Sequence, residues 1–407
     1  MFIKKKIAFI VTLAAIAGSI WYLESVSVHP GAVPSGGAPS IAANTLPPAT
    51  VPSATSSSVP QLQSASADAQ ITALAAADEK AGASPAREIQ DPTGFVNTSS
   101  GFKLASLVGK KVILLDFWTY SCINCIRTIP YLAAWDVKYK NEGLEIVGIH
   151  TPEFDFEKDI NNVRAAVQKF GIAYPVVLDS NYGTWQAYGN LYWPHEYLID
   201  MAGYIAHDQI GEGNYGETET EIQKLLAQRA QILGTDQAVA TSTVNIAPAD
   251  LSGIASPETY FGAARNVYLA NGSQGKAGAQ ELSAPSTMQL NALYLSGSWD
   301  FEQEYAENTA AGAKIFYLYK APKVNLVASA SSSVTIEVLQ DGKPVDATNA
   351  GSDVRGGKVI IQSSRLYNIV NNTAACSGSG CADFNSEHTL ELIIDNPGLN
   401  AYTFTFG

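Results

Sequence analysis

Apolar positions change their spacing along the 407-residue chain, and the changes divide it. Between residues 111 and 233, short apolar runs alternate with helical patterns. Residues 111–115 are largely apolar and partly β-branched, as suits a strand covered on both faces. Residues 126–139 follow, with Ile126, Ile129, Leu132 and Ala133 spaced for one helix face. The alternation continues with a strand at 144–150, a helix at 155–170 and a short strand at 174–179. A strand at 192–200, a turn at 200–203, a hairpin partner at 204–210 and an amphipathic helix at 218–233 complete the unit. From residue 256 onward the pattern becomes β-rich, with runs at 288–295, 314–319, 324–328, 333–339, 357–362, 389–394 and 402–406. Gly- and Asn-rich turns separate these runs and no long helical pattern intervenes. The expected fold class is an α/β domain followed by an all-β sandwich or jelly roll.

The chain ahead of these units reads differently. Lys4, Lys5 and Lys6 precede residues 7–23, which carry no charge and end in Trp21-Tyr22-Leu23. A basic start, an apolar run at the lower end of spanning length and an aromatic edge predict an N-terminal transmembrane anchor over residues 1–27. A cleaved export signal is the rival, since Ala15-Ile16-Ala17 fits a cut site. Either way the lysines start cytoplasmic and the bulk of the chain is placed outside the cytoplasm, in the periplasm, on a single-pass cell-membrane protein. Residues 28–87 are rich in Pro, Ala and Ser and predict a flexible tether, with a short helix at 71–80. The α/β domain is placed at 88–234, a second linker at 235–255 and the β-domain at 256–407.

Twenty-five Lys and Arg against 38 Asp and Glu leave a net charge of −13. That balance argues against nucleic acid or an anionic membrane surface as a partner. The four cysteines, an even number, fit an oxidising compartment.

Two of them carry the candidate chemistry. Cys122 and Cys125 stand three positions apart where the 111–115 run meets the 126–139 helix. Helix N-terminal N–H groups stabilise a thiolate at Cys122. Cys125, one turn later on the same side, is placed to attack a mixed disulfide formed there. Half of a zinc site and an inert structural disulfide are the other readings of this spacing. No second ligand pair supplies the missing half of a zinc site, so no metal and no cofactor are expected. Cys376 and Cys381 lie far off in a Ser/Gly-rich stretch and read as a structural disulfide closing a small loop.

The residues around the pair carry a resemblance. Asp116-Phe117-Trp118, then Cys122-x-x-Cys125, then Pro130 resembles the active-site stretch of thioredoxins. The run Trp118-Thr119-Tyr120-Ser121-Cys122-Ile123-Asn124-Cys125-Ile126-Arg127-Thr128-Ile129-Pro130 is more similar to TlpA-like thioredoxins of the redoxin type. It most resembles the soluble portion of DipZ-type proteins. The resemblance implies that Asp116 is buried beneath Cys125 and takes its proton. It also implies that Pro194 is the cis-proline facing the cysteines, with backbone beside it binding an extended client. Pro257 to Gly262, Leu295 to Trp299 and Ala401 to Gly407 resemble the carbohydrate-binding-module-like domain that follows in DipZ-type proteins.

The function so implied is a thiol-disulfide oxidoreductase. Its partners would be client proteins with cysteines and a membrane-embedded thiol reductant of the CcdA or DipZ kind. His150 and Glu153 end a strand beside the catalytic one; they read either as substrate contacts or as a solvated turn. Trp118 and Trp193 are expected to shape the rim. A glycan on the β-domain would use Trp299 and the tyrosines, which read equally as core. Competing activities are a redoxin-type peroxidase, suggested by Thr119-x-x-Cys122, a copper-delivery protein using His150 or His195, and a non-catalytic binding protein.

Overall fold

The computed structural model describes residues 59–236, 238–373 and 386–407. The expected anchor at 1–27 and the Cys376–Cys381 pair lie outside the described residues. Among the described residues no helix is long and apolar enough to cross a membrane.

The first unit is a six-stranded sheet flanked by helices. Its strands are β1 (Gly94–Val96), β2 (Val112–Trp118), β3 (Leu144–His150), β4 (Val176–Leu178), β5 (His195–Ile199) and β6 (Ile205–Ile210), in the order β1-β4-β3-β2-β5-β6. β2, β3 and β4 run parallel; β5, β6 and β1 are antiparallel to their neighbours. The helices are α1 (Val59–Ala81), α2 (Ile123–Tyr139), α3 (Ile160–Phe170), α4 (Gly183–Ala187) and α5 (Tyr215–Leu233). Every residue of β2 is buried, as a central strand covered on both faces requires. Val112, Leu114 and Trp118 face a core shared with α2, α3 and α5, while Ile113, Leu115 and Phe117 face the opposite core.

Several elements depart from the sequence expectation. The helix expected at 155–170 begins as a separate 3-10 turn, Asp155–Lys158, and restarts when Asp159 caps α3 by accepting the Asn161 N–H. β1 and α4 were not expected; each is too short to show a period. Part of the predicted tether is helical: α1 packs Ala67 with Met201 and Ile232. Its Ala- and Ser-rich composition reads as a linker until tertiary contacts supply the missing apolar face. The second linker lies along the domain, with Val239, Ala240, Val244 and Ile246 against its core.

The C-terminal domain is all-β among the described residues. Its strands are β7 (Thr259–Tyr260), β8 (Gly278–Leu282), β9 (Leu293–Phe301), β10 (Ala306–Asn308), β11 (Lys314–Tyr319), β12 (Lys323–Ala330), β13 (Val334–Gln340), β14 (Lys343–Pro344), β15 (Lys358–Ile361), β16 (Arg365–Asn371), β17 (His388–Ile394) and β18 (Leu399–Phe406). They form one continuous twelve-stranded sheet rather than two separate ones. β9 explains the continuity: residues before Gly297 pair with β11, and residues after it pair with β8 and β10. Gly297 sits at φ +91, which frees the strand to turn from one half into the other. Both halves enclose a common core of Tyr317, Tyr319, Leu326, Ile336 and Phe404. Trp299 belongs to that core at 0% exposure, so it offers no face to a sugar. Its indole N–H donates to the Ser296 carbonyl.

Candidate active site

β2 delivers the cysteines. After Trp118 the chain turns, and Cys122 becomes the N-cap residue of α2, with extended backbone and its carbonyl accepting from Ile126. The unpaired N–H groups and dipole of α2 favour negative charge on that sulfur. Cys122 is half-buried, whereas Cys125 is 1% exposed. Both are thiols, and Cys125 lies within hydrogen-bonding reach of Cys122. Burial pushes the Cys125 thiol well above its ordinary range, and the neighbouring Cys122 and Asp116 push further in that direction. Cys125 therefore holds its proton until a base removes it.

Asp116 is placed for that task. It sits on β2, on the sheet face that carries Trp118 and that α2 covers. It is 1% exposed, neither of its oxygens has a hydrogen-bond partner among the described residues, and burial pushes its carboxyl up to about 8. A buried base near 8 is matched to a thiol far better than a solvated carboxylate near 4. Gly148, paired with Asp116 from β3, keeps this space open. A Cβ there would stand 2.8 Å from Trp118 Nε1.

On the other side of the sulfur stands β5. The Trp193–Pro194 peptide is cis, and the Trp193 carbonyl oxygen lies 4.0 Å from Cys122 Sγ. The Trp193 indole donates to the Thr151 carbonyl and packs on Trp185 with centroids 4.2 Å apart.

A family model described as Redoxin matches residues 85–226, and one described as Thioredoxin like C-terminal domain matches residues 256–407. The DipZ proteins of Mycobacterium bovis and Mycobacterium tuberculosis are each 35% identical over 331 residues, covering 81% of this chain and 43% of theirs. The chain thus spans less than half the length of these relatives. The thiol-disulfide oxidoreductase YkuV of Bacillus subtilis is 28% identical over 122 residues, 30% of this chain and 82% of YkuV.

Residues 85–226 match the redoxin family and form a thioredoxin-like domain.

Relatives named as thiol-disulfide oxidoreductases, YkuV and the ResA of Bacillus thuringiensis, are similar to this chain over about 30% of its length. Within the thioredoxin-like domain two expected rim residues turn out to be interior. Trp118 is 0% and His150 1% exposed. His150 stacks on Tyr120 at 5.6 Å and meets the Trp118 edge at 5.1 Å. Its Nε2 has no partner among the described residues, and burial lowers the imidazole to about 3, so it is neutral and shapes the floor under Tyr120. His195 binds Asn190 and Asp208 through its two nitrogens. Among the described residues no group of three or more His, Cys, Asp or Glu is placed to hold a metal ion.

Glu153 does reach the cleft, but it is held there by the other domain. It accepts from Arg265 at 2.7 Å and from the Tyr260 hydroxyl at 2.9 Å, and the Arg265 guanidinium lies 3.7 Å over the Tyr260 ring. Ser121, Cys122, Asn124, Glu153 and Trp193 share a cleft of about 250 Å³ with Glu258, Tyr260 and Arg265. The β-domain thus forms one wall of the cysteine site. It docks through Val327, Leu366 and Tyr402, which pack on Phe154 and on Ile123 and Ile126 of α2. Tyr120 donates to the Ser364 carbonyl, and the Asp155 N–H to Glu304.

Three further residues escaped the sequence reading. Glu157, 0% exposed, accepts from the Ser121 N–H and hydroxyl and from the Glu153 and Phe154 N–H groups. It ties the residue before Cys122 to the loop that meets the β-domain. Burial pushes its carboxyl up to about 7. Glu196, beside Asp116, and Arg265 complete the set. A Glu inside a strand and an Arg 143 positions beyond Cys122 carry no local signal; only register and domain docking bring them in.

Proposed function

We propose that this redoxin-type protein reduces disulfides in client proteins, outside the cytoplasm and tethered to a membrane by residues 1–27. The observation that carries the reading is the division of labour between two sulfurs. Cys122 stands at a helix N-terminus in an open cleft, and Cys125 is sealed beneath it on the face that holds Asp116.

Cys122 thiolate attacks one sulfur of the client disulfide. The Cys122–client bond forms, the client S–S bond breaks, and the departing client sulfur takes a proton. Asp116 carboxylate then accepts the Cys125 proton. Cys125 sulfur attacks Cys122 Sγ, the Cys122–Cys125 bond forms, and the second client thiol leaves. The client gains two electrons and the cysteine pair loses two. Pro194 and the Trp193 carbonyl lie where an extended client segment would pass. The cleft wall of Tyr260 and Arg265 restricts entry to a narrow segment rather than a folded face.

Export and tethering are supported by the lysines and uncharged run at the start of the chain. The resemblance to DipZ-type proteins supports a membrane-embedded thiol reductant that regenerates the dithiol. Insulin reduction by the purified protein tests the chemistry. Cys122→Ser abolishes turnover, and Cys125→Ser accumulates a mixed disulfide with the client on a non-reducing gel. Normal turnover in either variant would defeat the proposal.

A further inference from the structure

Glu196 takes no part in the steps above, yet it lies directly across from Asp116 in the β2–β5 ladder. Residues two apart on a strand share a face, and Leu114 and Trp118 of β2 and Leu198 of β5 all face the α2 core. Asp116 and Glu196 therefore project to that same side. Directly opposed side chains on antiparallel strands have Cβ atoms about 4.5–5.5 Å apart, so two carboxyls meet by side-chain rotation. Asp116 is 1% and Glu196 2% exposed, and among the described residues none of their four oxygens has a hydrogen-bond partner.

The surroundings offer little else. Cys125 and Asp136 come from α2, the unpartnered Tyr174 hydroxyl from the chain ahead of β4, and Tyr215 from α5. Gln209 of β6 pairs with Glu196, and His207 lies diagonal to it on the same face. Among the described residues no lysine or arginine acts on either carboxyl. Two carboxyls in one dry layer cannot both be charged, and their titrations belong to the pair.

We propose that Glu196 is a positioning residue that acts through Asp116: it stays protonated and turns its O–H toward Asp116 as Asp116 ionises, so the pair carries one proton when Cys125 is ready to resolve. This rests on the thiol-disulfide reading and deepens it. The Cys125 proton moves to Asp116 as the new S–S bond forms, and Glu196 keeps its own proton throughout. Burial, and then the charge on Asp116, hold the Glu196 carboxyl well above the ordinary range, in keeping with that role.

The test is a pH titration of the reduced full chain with carbon-13 in the side-chain carboxyls of Asp and Glu, assigned with Asp116→Asn and Glu196→Gln. The Glu196 signal should hold its protonated position through the range where ordinary glutamates titrate, about pH 4.3, and move together with that of Asp116. A Glu196 signal that titrates in the ordinary range, or ignores the Asp116 step, overturns the proposal. A second arm follows the rate at which Cys125 releases a mixed disulfide. Glu196→Leu shifts the pH break upward by a unit or more, slowing release at pH 7 about tenfold, because a base loses tenfold of its ionised form per unit below its pKa. Glu196→Gln keeps an N–H donor and restores the break. Wild-type breaks in both variants also overturn it. Failure of wild-type insulin reduction would instead sink the underlying activity, which the carboxyl titration does not depend on.

Discussion

Asp116→Asn stabilises this protein, by an amount that grows with pH. Burial raises the Asp116 carboxyl from 3.8 to about 8, so the native state keeps a proton that the unfolded chain releases. A raised carboxyl adds stability that is complete below the unfolded value and is lost as pH rises toward the folded one. At pH 7 the unfolded carboxyl is ionised, while the native one is still about a unit short of its midpoint. The native state has then lost about 3 pH units of proton affinity at about 1.36 kcal/mol each, or ~4 kcal/mol. Asn has nearly the same shape and no charge, so it escapes that loss. Its amide is buried without partners, an offset that does not vary with pH. Urea unfolding of both proteins at half-unit steps from pH 4 to pH 9 reads the difference. The gap should widen by ~4 kcal/mol between pH 4 and pH 7 and level off above about pH 8. A gap that stays constant within ~1 kcal/mol across this range would refute the reasoning, since Asp116 would then titrate like a solvated carboxylate.

Two other substitutions probe the scaffold. Glu157→Ala strips the Ser121, Glu153 and Phe154 N–H groups of their buried acceptor. A cost of ~3 kcal/mol or more in chemical denaturation is expected, with faster hydrogen exchange at those three amides. Gly148→Ala places a methyl 2.8 Å from Trp118 Nε1 in a fully buried layer and is expected to cost ~1–3 kcal/mol, seen as a lower Tm and altered Trp118 fluorescence.

The sequence made Cys122 and Cys125 legible for a local reason, since their type and spacing sit on one strand-to-helix turn. Asp116 and Pro194 were reached through the resemblance to thioredoxins, which supplied the tertiary knowledge that their own neighbours in sequence do not carry. The alternating strands and helices from 111 to 233 were legible too, because core burial imposes their periods. What stayed hidden depends on distant pairing. Glu196 becomes a partner of Asp116 only through the β2–β5 register, and Arg265 reaches Glu153 only because the β-domain docks on α2. Trp118 and His150 read as rim residues because an aromatic at a strand end fits either setting; the turn of the chain over Tyr120 is what covers them. α1 was read as tether because Ala and Ser show no apolar stripe until Met201 and Ile232 define its buried side. The membrane anchor and the Cys376–Cys381 disulfide rest on sequence alone.

The most direct test is a single turnover. Reduced protein is mixed with one equivalent of a disulfide-bonded protein, quenched in acid, alkylated and mapped by mass spectrometry. A Cys122–Cys125 disulfide should appear in proportion to the client thiols released, preceded by an adduct at Cys122. Client reduction with that pair still alkylated as two thiols, or a first adduct at Cys125, would contradict the account.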